Sequence, residues 1–145
     1  MKIYVLGSTT FMKEMVEAKA RLCELGHDGR IHPHYEAFVR GELQEIMARW
    51  RNGEEATLKR EFNYLHDHYK NILDCDAVLI VNLEKRGIGN YIWGNVLMEM
   101  GQAYVNHKTI YFLNGMPTEL PYMDEIESME PVCLMGDLRK IKTSR

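Results

Sequence analysis

The sequence predicts a single α/β domain with a five-stranded, mostly parallel sheet and helices on both faces. Residues 77–81 form an apolar run without alternation, and residues 108–114 have a similar form, a buried strand that ends at Asn114. Such runs are typical of parallel strands that are covered on both faces. Short strands also alternate with helical patterns along the chain, as they do in βαβ units. The length of 145 residues suits one hydrophobic core, so we assign residues 1–145 to one domain.

Local residue chemistry sets the expected limits of the strands and helices. Gly26 ends the first helix, because glycine readily adopts the left-handed conformation found after many helices. Pro33 limits the second strand, since proline has no N–H group to donate to a sheet. Asn95 is the expected N-cap of the helix that follows it. Strands are expected at residues 3–6, 29–34, 77–81, 108–114 and 130–134, and helices at residues 11–25, 35–51, 54–73, 94–105 and 122–129.

Composition and charge exclude several classes of partner. The net charge is −3 and the pI is about 6.1, so we expect no nucleic-acid polymer and no anionic membrane as a partner. No apolar run approaches the roughly 20 residues that a membrane-spanning helix needs. The three cysteines, Cys23, Cys75 and Cys133, are scattered, which is typical of reduced thiols and predicts a cytoplasmic protein.

A metal site is not expected from the histidines near the second strand. His27, His32 and His34 lie close together in sequence, but no acidic or thiol ligand nearby completes a set. We also expect no cofactor, because the chain contains neither the Rossmann glycine pattern nor a P-loop.

Polar residues converge on the carboxyl ends of the predicted strands, where ligands bind in open α/β sheets. Glu99 is the one charged residue inside a helix that is apolar nearly all round. A carboxylate in such a place is costly unless it is paired or used. Glu99 is therefore either a functional residue or a structural one that caps a neighbouring backbone or meets a lysine. The turn at residues 7–10 either faces an anion or only caps the first helix.

Three segments resemble the nucleoside 2-deoxyribosyltransferase superfamily, which also contains 2′-deoxynucleoside 5′-phosphate N-hydrolases. They are residues 2–8 (KIYVLGS), residues 76–82 (DAVLIVN), and residues 99–103 (EMGQA) followed by residues 108–111 (KTIY). The resemblance implies a flavodoxin-like three-layer sandwich that acts on a small-molecule nucleoside or nucleotide. It also implies a homodimer or larger homo-oligomer, in which Asn114 matches a polar residue lent across the interface.

The resemblance also implies roles for individual residues. Glu99 matches the nucleophile that attacks the anomeric carbon of deoxyribose, and Tyr4 matches the tyrosine that hydrogen-bonds this nucleophile. Gly7 and Ser8 match the turn that meets the 5′ end of the nucleotide. The further substrate-binding candidates are Thr9, His68, Asn82, Gly94, Asn95 and Asn114.

The implied function is cleavage or transfer at the N-glycosidic bond of a 2′-deoxynucleoside or its 5′-monophosphate. One alternative is a non-catalytic module that binds a nucleoside or nucleotide in the same pocket. It is favoured by the spacing from Gly94 to Glu99, which is one residue longer than the Gly-x-x-x-Glu pattern of the family. A second alternative is an interaction protein whose apolar helices form an oligomer.

Overall fold

A computed structural model describes residues 1–143 and forms a three-layer sandwich around a five-stranded parallel sheet. The strands are β1 (Lys2–Gly7), β2 (Asp28–Arg30), β3 (Ala77–Val81), β4 (Thr109–Phe112) and β5 (Val132–Cys133). Their order is β2-β1-β3-β4-β5, and every neighbouring pair is parallel. This is the flavodoxin-like order of a doubly wound sheet. The predicted fold class is therefore confirmed.

Seven α-helices cover the two faces of the sheet within the described residues. They are α1 (Met12–Glu24), α2 (Pro33–Val39), α3 (Gln44–Arg51), α4 (Glu55–Glu61), α5 (Tyr64–Asp74), α6 (Gly94–Val105) and α7 (Met123–Ser128). Short 3₁₀ helices occur at Thr9–Phe11 and Leu138–Lys140. No helix in residues 1–143 has the length and apolar composition needed to cross a membrane.

Three local predictions were wrong. The two long helices expected at residues 35–51 and 54–73 are each divided in two, because Leu43 and Asn63 adopt left-handed backbone conformations. The second strand ends at Arg30, since Pro33 begins α2 at a first-turn position that needs no donor. Asn95 is not the N-cap of α6; Trp93 occupies that position, without a capping side chain.

Alternation along the strands divides the core into two layers. Ile3, Val5 and Leu79 belong to the layer that contains buried residues of α1 and α2. Tyr4 and Phe112 belong to the opposite layer, together with buried residues of α5, α6 and α7. The Tyr4 side chain therefore lies on the same side of the sheet as Glu99 of α6.

Candidate functional site

A cavity of about 240 Å³ lies next to the turn that follows β1. β1 is bordered by β2 on one side and by β3 on the other, so the strand order reverses at this place. Ligands of doubly wound sheets bind at such a switch point. The turn after β1, the helices α2 to α5 and the start of α6 all contribute to the wall. The lining residues are Ser8, Thr9, Thr10, Tyr35, Trp50, Glu55, Lys59, Tyr64, Leu65, His68, Trp93, Asn95 and Glu99.

Glu99 lies in this cavity without a partner among residues 1–143. Its side chain forms neither a hydrogen bond nor an ion pair there, although the residue is only 3% exposed. Lys59 is paired instead with Glu55, one turn away on α4, at 2.8 Å. Within the described chain, Glu99 is thus neither the backbone cap nor the member of a lysine ion pair that a structural role requires.

Burial determines the protonation state of Glu99. Loss of solvation raises the pKa of its carboxyl group to about 8, and the positive charge of Lys59 opposes this rise. The neutral acid is therefore the main form in the free protein at pH 7. An ionised Glu99 becomes the main form only at mildly alkaline pH, or when a ligand favours it.

The expected hydrogen bond between Tyr4 and Glu99 is not observed. The Tyr4 hydroxyl instead bonds to Nδ1 of His68 at 2.8 Å, and Nε2 of His68 faces the Tyr35 hydroxyl at 3.3 Å. Tyr4 lies beneath the cavity, completely buried, where the ring of His68 from α5 is within reach. Burial lowers the pKa of His68 to about 4, so its imidazole is neutral at pH 7.

Two further histidines, His32 and His34, lie near His68. His32 faces Asp67 at 3.3 Å, and His34 faces the Tyr64 hydroxyl at 2.6 Å. Burial lowers the pKa of His32, with Asp67 opposing the effect. In residues 1–143, no group of three or more His, Cys, Asp or Glu side chains could hold a metal ion.

The structure brings half of the predicted site residues together. Those that line the cavity are Ser8, Thr9, His68, Asn95 and Glu99, and those that do not are Tyr4, Gly7, Asn82, Gly94 and Asn114. Gly7 ends β1 against the side chain of Met15, and Gly94 is the first residue of α6. Tyr4 is hydrogen-bonded to His68, which lines the cavity.

Sequence reasoning missed the residues that α2 to α5 contribute to the cavity. They are Tyr35, Trp50, Glu55, Lys59, Tyr64 and Leu65, together with Trp93 from the loop before α6. No motif marks them, and Tyr35 and Trp50 lie inside a stretch for which the sequence predicts only a helix. The density of aromatic residues on both sides of the helix break at Asn52 and Gly53 is the one indication that the sequence offers.

Asn82 and Asn114 join the ends of β3 and β4 instead of lining the cavity. The side chain of Asn82 donates to the Gly115 carbonyl at 2.8 Å and accepts from the Asn114 backbone N–H at 3.1 Å. The side chain of Asn114 donates to the Asn82 carbonyl at 3.0 Å. Both amides are therefore occupied within this chain.

Replacing Asn82 with alanine is expected to lower the free energy of unfolding by about 2–4 kcal/mol, because two polar groups lose their partners at a fully buried position. Asn114→Ala removes one bond from a half-buried residue, so about 1 kcal/mol is expected. Urea denaturation of both variants measures the difference. Equal losses of unfolding free energy in the two variants would show that the buried amide of Asn82 stabilises the fold no more than that of Asn114.

Comparison with protein-family models, with curated proteins and with solved structures gives no significant match. The class of protein is defined by the fold and the cavity alone. Residues 1–143 form a doubly wound, flavodoxin-like α/β domain that has a buried, unpaired carboxyl group at its switch point.

Proposed function

We propose that this protein cleaves or transfers the N-glycosidic bond of a 2′-deoxynucleoside or its 5′-monophosphate through Glu99. The observation that carries the proposal is a buried glutamate without a partner in residues 1–143, in a cavity at the switch point. A carboxylate that forms a glycosyl ester must reach the anomeric carbon unhindered by an ion pair. The resemblance at residues 2–8, 76–82, 99–103 and 108–111 supports the same reaction.

The lining of the cavity suits the parts of such a substrate. Trp50, Tyr64 and Trp93 offer aromatic surfaces on which a base stacks. Ser8 and Thr9 offer hydroxyl groups to the sugar or its 5′ end. The cavity is smaller than the roughly 300–1,000 Å³ of most ligand pockets, which favours a compact ligand whose base reaches towards the cavity mouth.

The proton balance of the reaction requires a proton source other than Glu99, because the ionised carboxylate is the reactive form. The ionised carboxylate attacks the anomeric carbon, the bond between sugar and base breaks, and the base leaves with the bonding electrons and takes up a proton. Water supplies this proton, since Glu99 reacts in its ionised form and His68 is neutral at pH 7. A second base or water then takes the sugar from the ester and regenerates Glu99.

Two observations favour a second candidate function, a module that binds a nucleoside or nucleotide without turnover. Glu99 is mainly neutral at pH 7 because its pKa is raised, and Tyr4 is bonded to His68 rather than to the proposed nucleophile. A neutral carboxyl group can hold a sugar hydroxyl by donating and accepting hydrogen bonds.

Release of free base from the common deoxynucleosides and their 5′-monophosphates, measured by chromatography, tests the proposal. The value of kcat/KM is expected to rise with pH until about 8, the pKa of Glu99, because the ionised carboxylate is the reactive form in the free enzyme. A rate that instead falls as pH rises towards 8 would contradict the nucleophile role. Thermal stabilisation by these compounds without base release would favour the binding module.

A further inference from the structure

A chain of three hydrogen-bonding side chains connects the buried sheet with the cavity. The Tyr4 hydroxyl contacts His68 Nδ1 at 2.8 Å, and His68 Nε2 contacts the Tyr35 hydroxyl at 3.3 Å. A neutral imidazole has one N–H donor and one acceptor nitrogen. One tyrosine must therefore donate to His68, and the other must accept from it.

Counting the protons distinguishes the two possible tautomers. With the proton on Nδ1, the Tyr4 hydroxyl would accept it, and its own proton would have no acceptor within residues 1–143. Tyr4 is completely buried and does not line the cavity, so this donor would be orphaned. With the proton on Nε2, Tyr4 donates to Nδ1 and Tyr35 accepts. The remaining proton belongs to Tyr35, which lines the cavity.

The cavity offers this proton an acceptor. Glu99 has no hydrogen-bond donor within residues 1–143 and lines the same cavity as Tyr35. The other titratable groups that face this space are engaged: Lys59 with Glu55 on α4, and Tyr64 of α5 with His34. The charge of Glu99 also raises the pKa of Tyr35, after the larger effect of burial.

We propose that Tyr4 fixes His68 as the Nε2–H tautomer, and that Tyr35 is consequently a positioning residue whose hydroxyl donates to the ionised carboxylate of Glu99. Tyr35 of α2 then serves the role that the sequence led us to expect for Tyr4 of β1. In the structure the Tyr35 hydroxyl bonds to His68 and not to Glu99, so its donation to Glu99 requires the carboxyl group to ionise. The consequence for catalysis rests on the proposed function, whereas the tautomer and this donation concern the free protein.

NMR spectroscopy of the free protein tests both parts without a ligand. The ¹⁵N shifts of His68 in the wild-type protein are expected to place its proton on Nε2. A ¹³C titration of Glu99 is expected to show a pKa about one unit higher in Tyr35→Phe, because a donor to the charged form has been removed. Tyr64→Phe is the matched control for this pKa, since Tyr64 lines the same cavity but its hydroxyl bonds to His34. This control is expected to leave the pKa of Glu99 near its wild-type value.

The two NMR measurements test the roles of Tyr4 and Tyr35 independently of the proposed function. A proton on Nδ1 of His68, or equal pKa values for Glu99 in wild type and Tyr35→Phe, would overturn the inference. If the protein releases base, the pH profile of kcat/KM in Tyr35→Phe is expected to move about one unit towards alkaline pH with the titration of Glu99. If no deoxynucleoside is cleaved, the proposed function fails, and the two NMR measurements still decide the role of Tyr35.

Discussion

Replacing Glu99 with glutamine is expected to abolish base release, with a loss on the order of a thousandfold or more in kcat/KM. The amide keeps the shape of the side chain but cannot form a glycosyl ester. Because Glu99 forms no hydrogen bond or ion pair within residues 1–143, the substitution removes no observed interaction there. The fold is therefore expected to survive, which circular dichroism and thermal melting would verify beside the chromatographic assay.

Glu125→Gln is a suitable control for this experiment. Glu125 is an exposed residue of α7, and it does not line the cavity. Its substitution is expected to leave base release at the wild-type rate. A Glu99→Gln protein that keeps full activity but melts at a lower temperature would show that Glu99 has a structural role instead.

The second large effect is expected on the pH dependence of stability. Glu99 has a folded-state pKa of about 8 against an ordinary value of 4.5, so between these pH values the folded protein holds a proton that the unfolded chain releases. The contribution of Glu99 to stability is therefore present below about pH 4.5 and is lost as pH rises to about 8. At 1.36 kcal/mol for each pKa unit, this loss is about 4–5 kcal/mol.

His68 acts in the opposite direction at lower pH. Its folded-state pKa of about 4 lies below the ordinary value of 6.5, so its contribution is present above pH 6.5 and is lost as pH falls to about 4. The two effects oppose one another between about pH 4.5 and 6.5. The interval from pH 6.5 to 8 isolates Glu99 from His68.

Urea denaturation of wild type and Glu99→Gln across this interval measures the effect. The free energy of unfolding of wild type is expected to fall by about 2 kcal/mol from about pH 6.5 to 8 relative to the variant, because glutamine does not titrate. Parallel pH dependences for the two proteins would mean that Glu99 is ionised in the folded state at neutral pH. The predicted rise of kcat/KM with pH would then no longer be expected.

Local patterns were sufficient to predict the sheet. The unbroken apolar runs that became β3 and β4 could be stable only as strands covered on both faces, and the intervening helical patterns required parallel connections. A single charge in an apolar helix is costly unless it is paired or used, which left Glu99 either functional or structural. The resemblance to the superfamily was what assigned Glu99 to the site.

Tertiary structure decided which side chains meet Glu99. The left-handed residues Leu43 and Asn63 divide the predicted helices, and the resulting short helices carry Trp50 and Lys59 to the cavity. Asparagine adopts the left-handed conformation more often than most residues, but leucine rarely does, so local propensity does not reveal the break at Leu43.

The sequence also could not predict which side chains of the site are hydrogen-bonded to each other. The face of β1 that carries Tyr4 followed from strand alternation, but His68 and Glu99 approach the same face from two different helices. Only the packing of α5 against α6 decides which of them lies within hydrogen-bonding distance of the Tyr4 hydroxyl, and it is His68 at 2.8 Å. A hydrogen bond depends on separations of a few tenths of an ångström, whereas the pattern of residues along the chain determines only which elements form and which faces they bury.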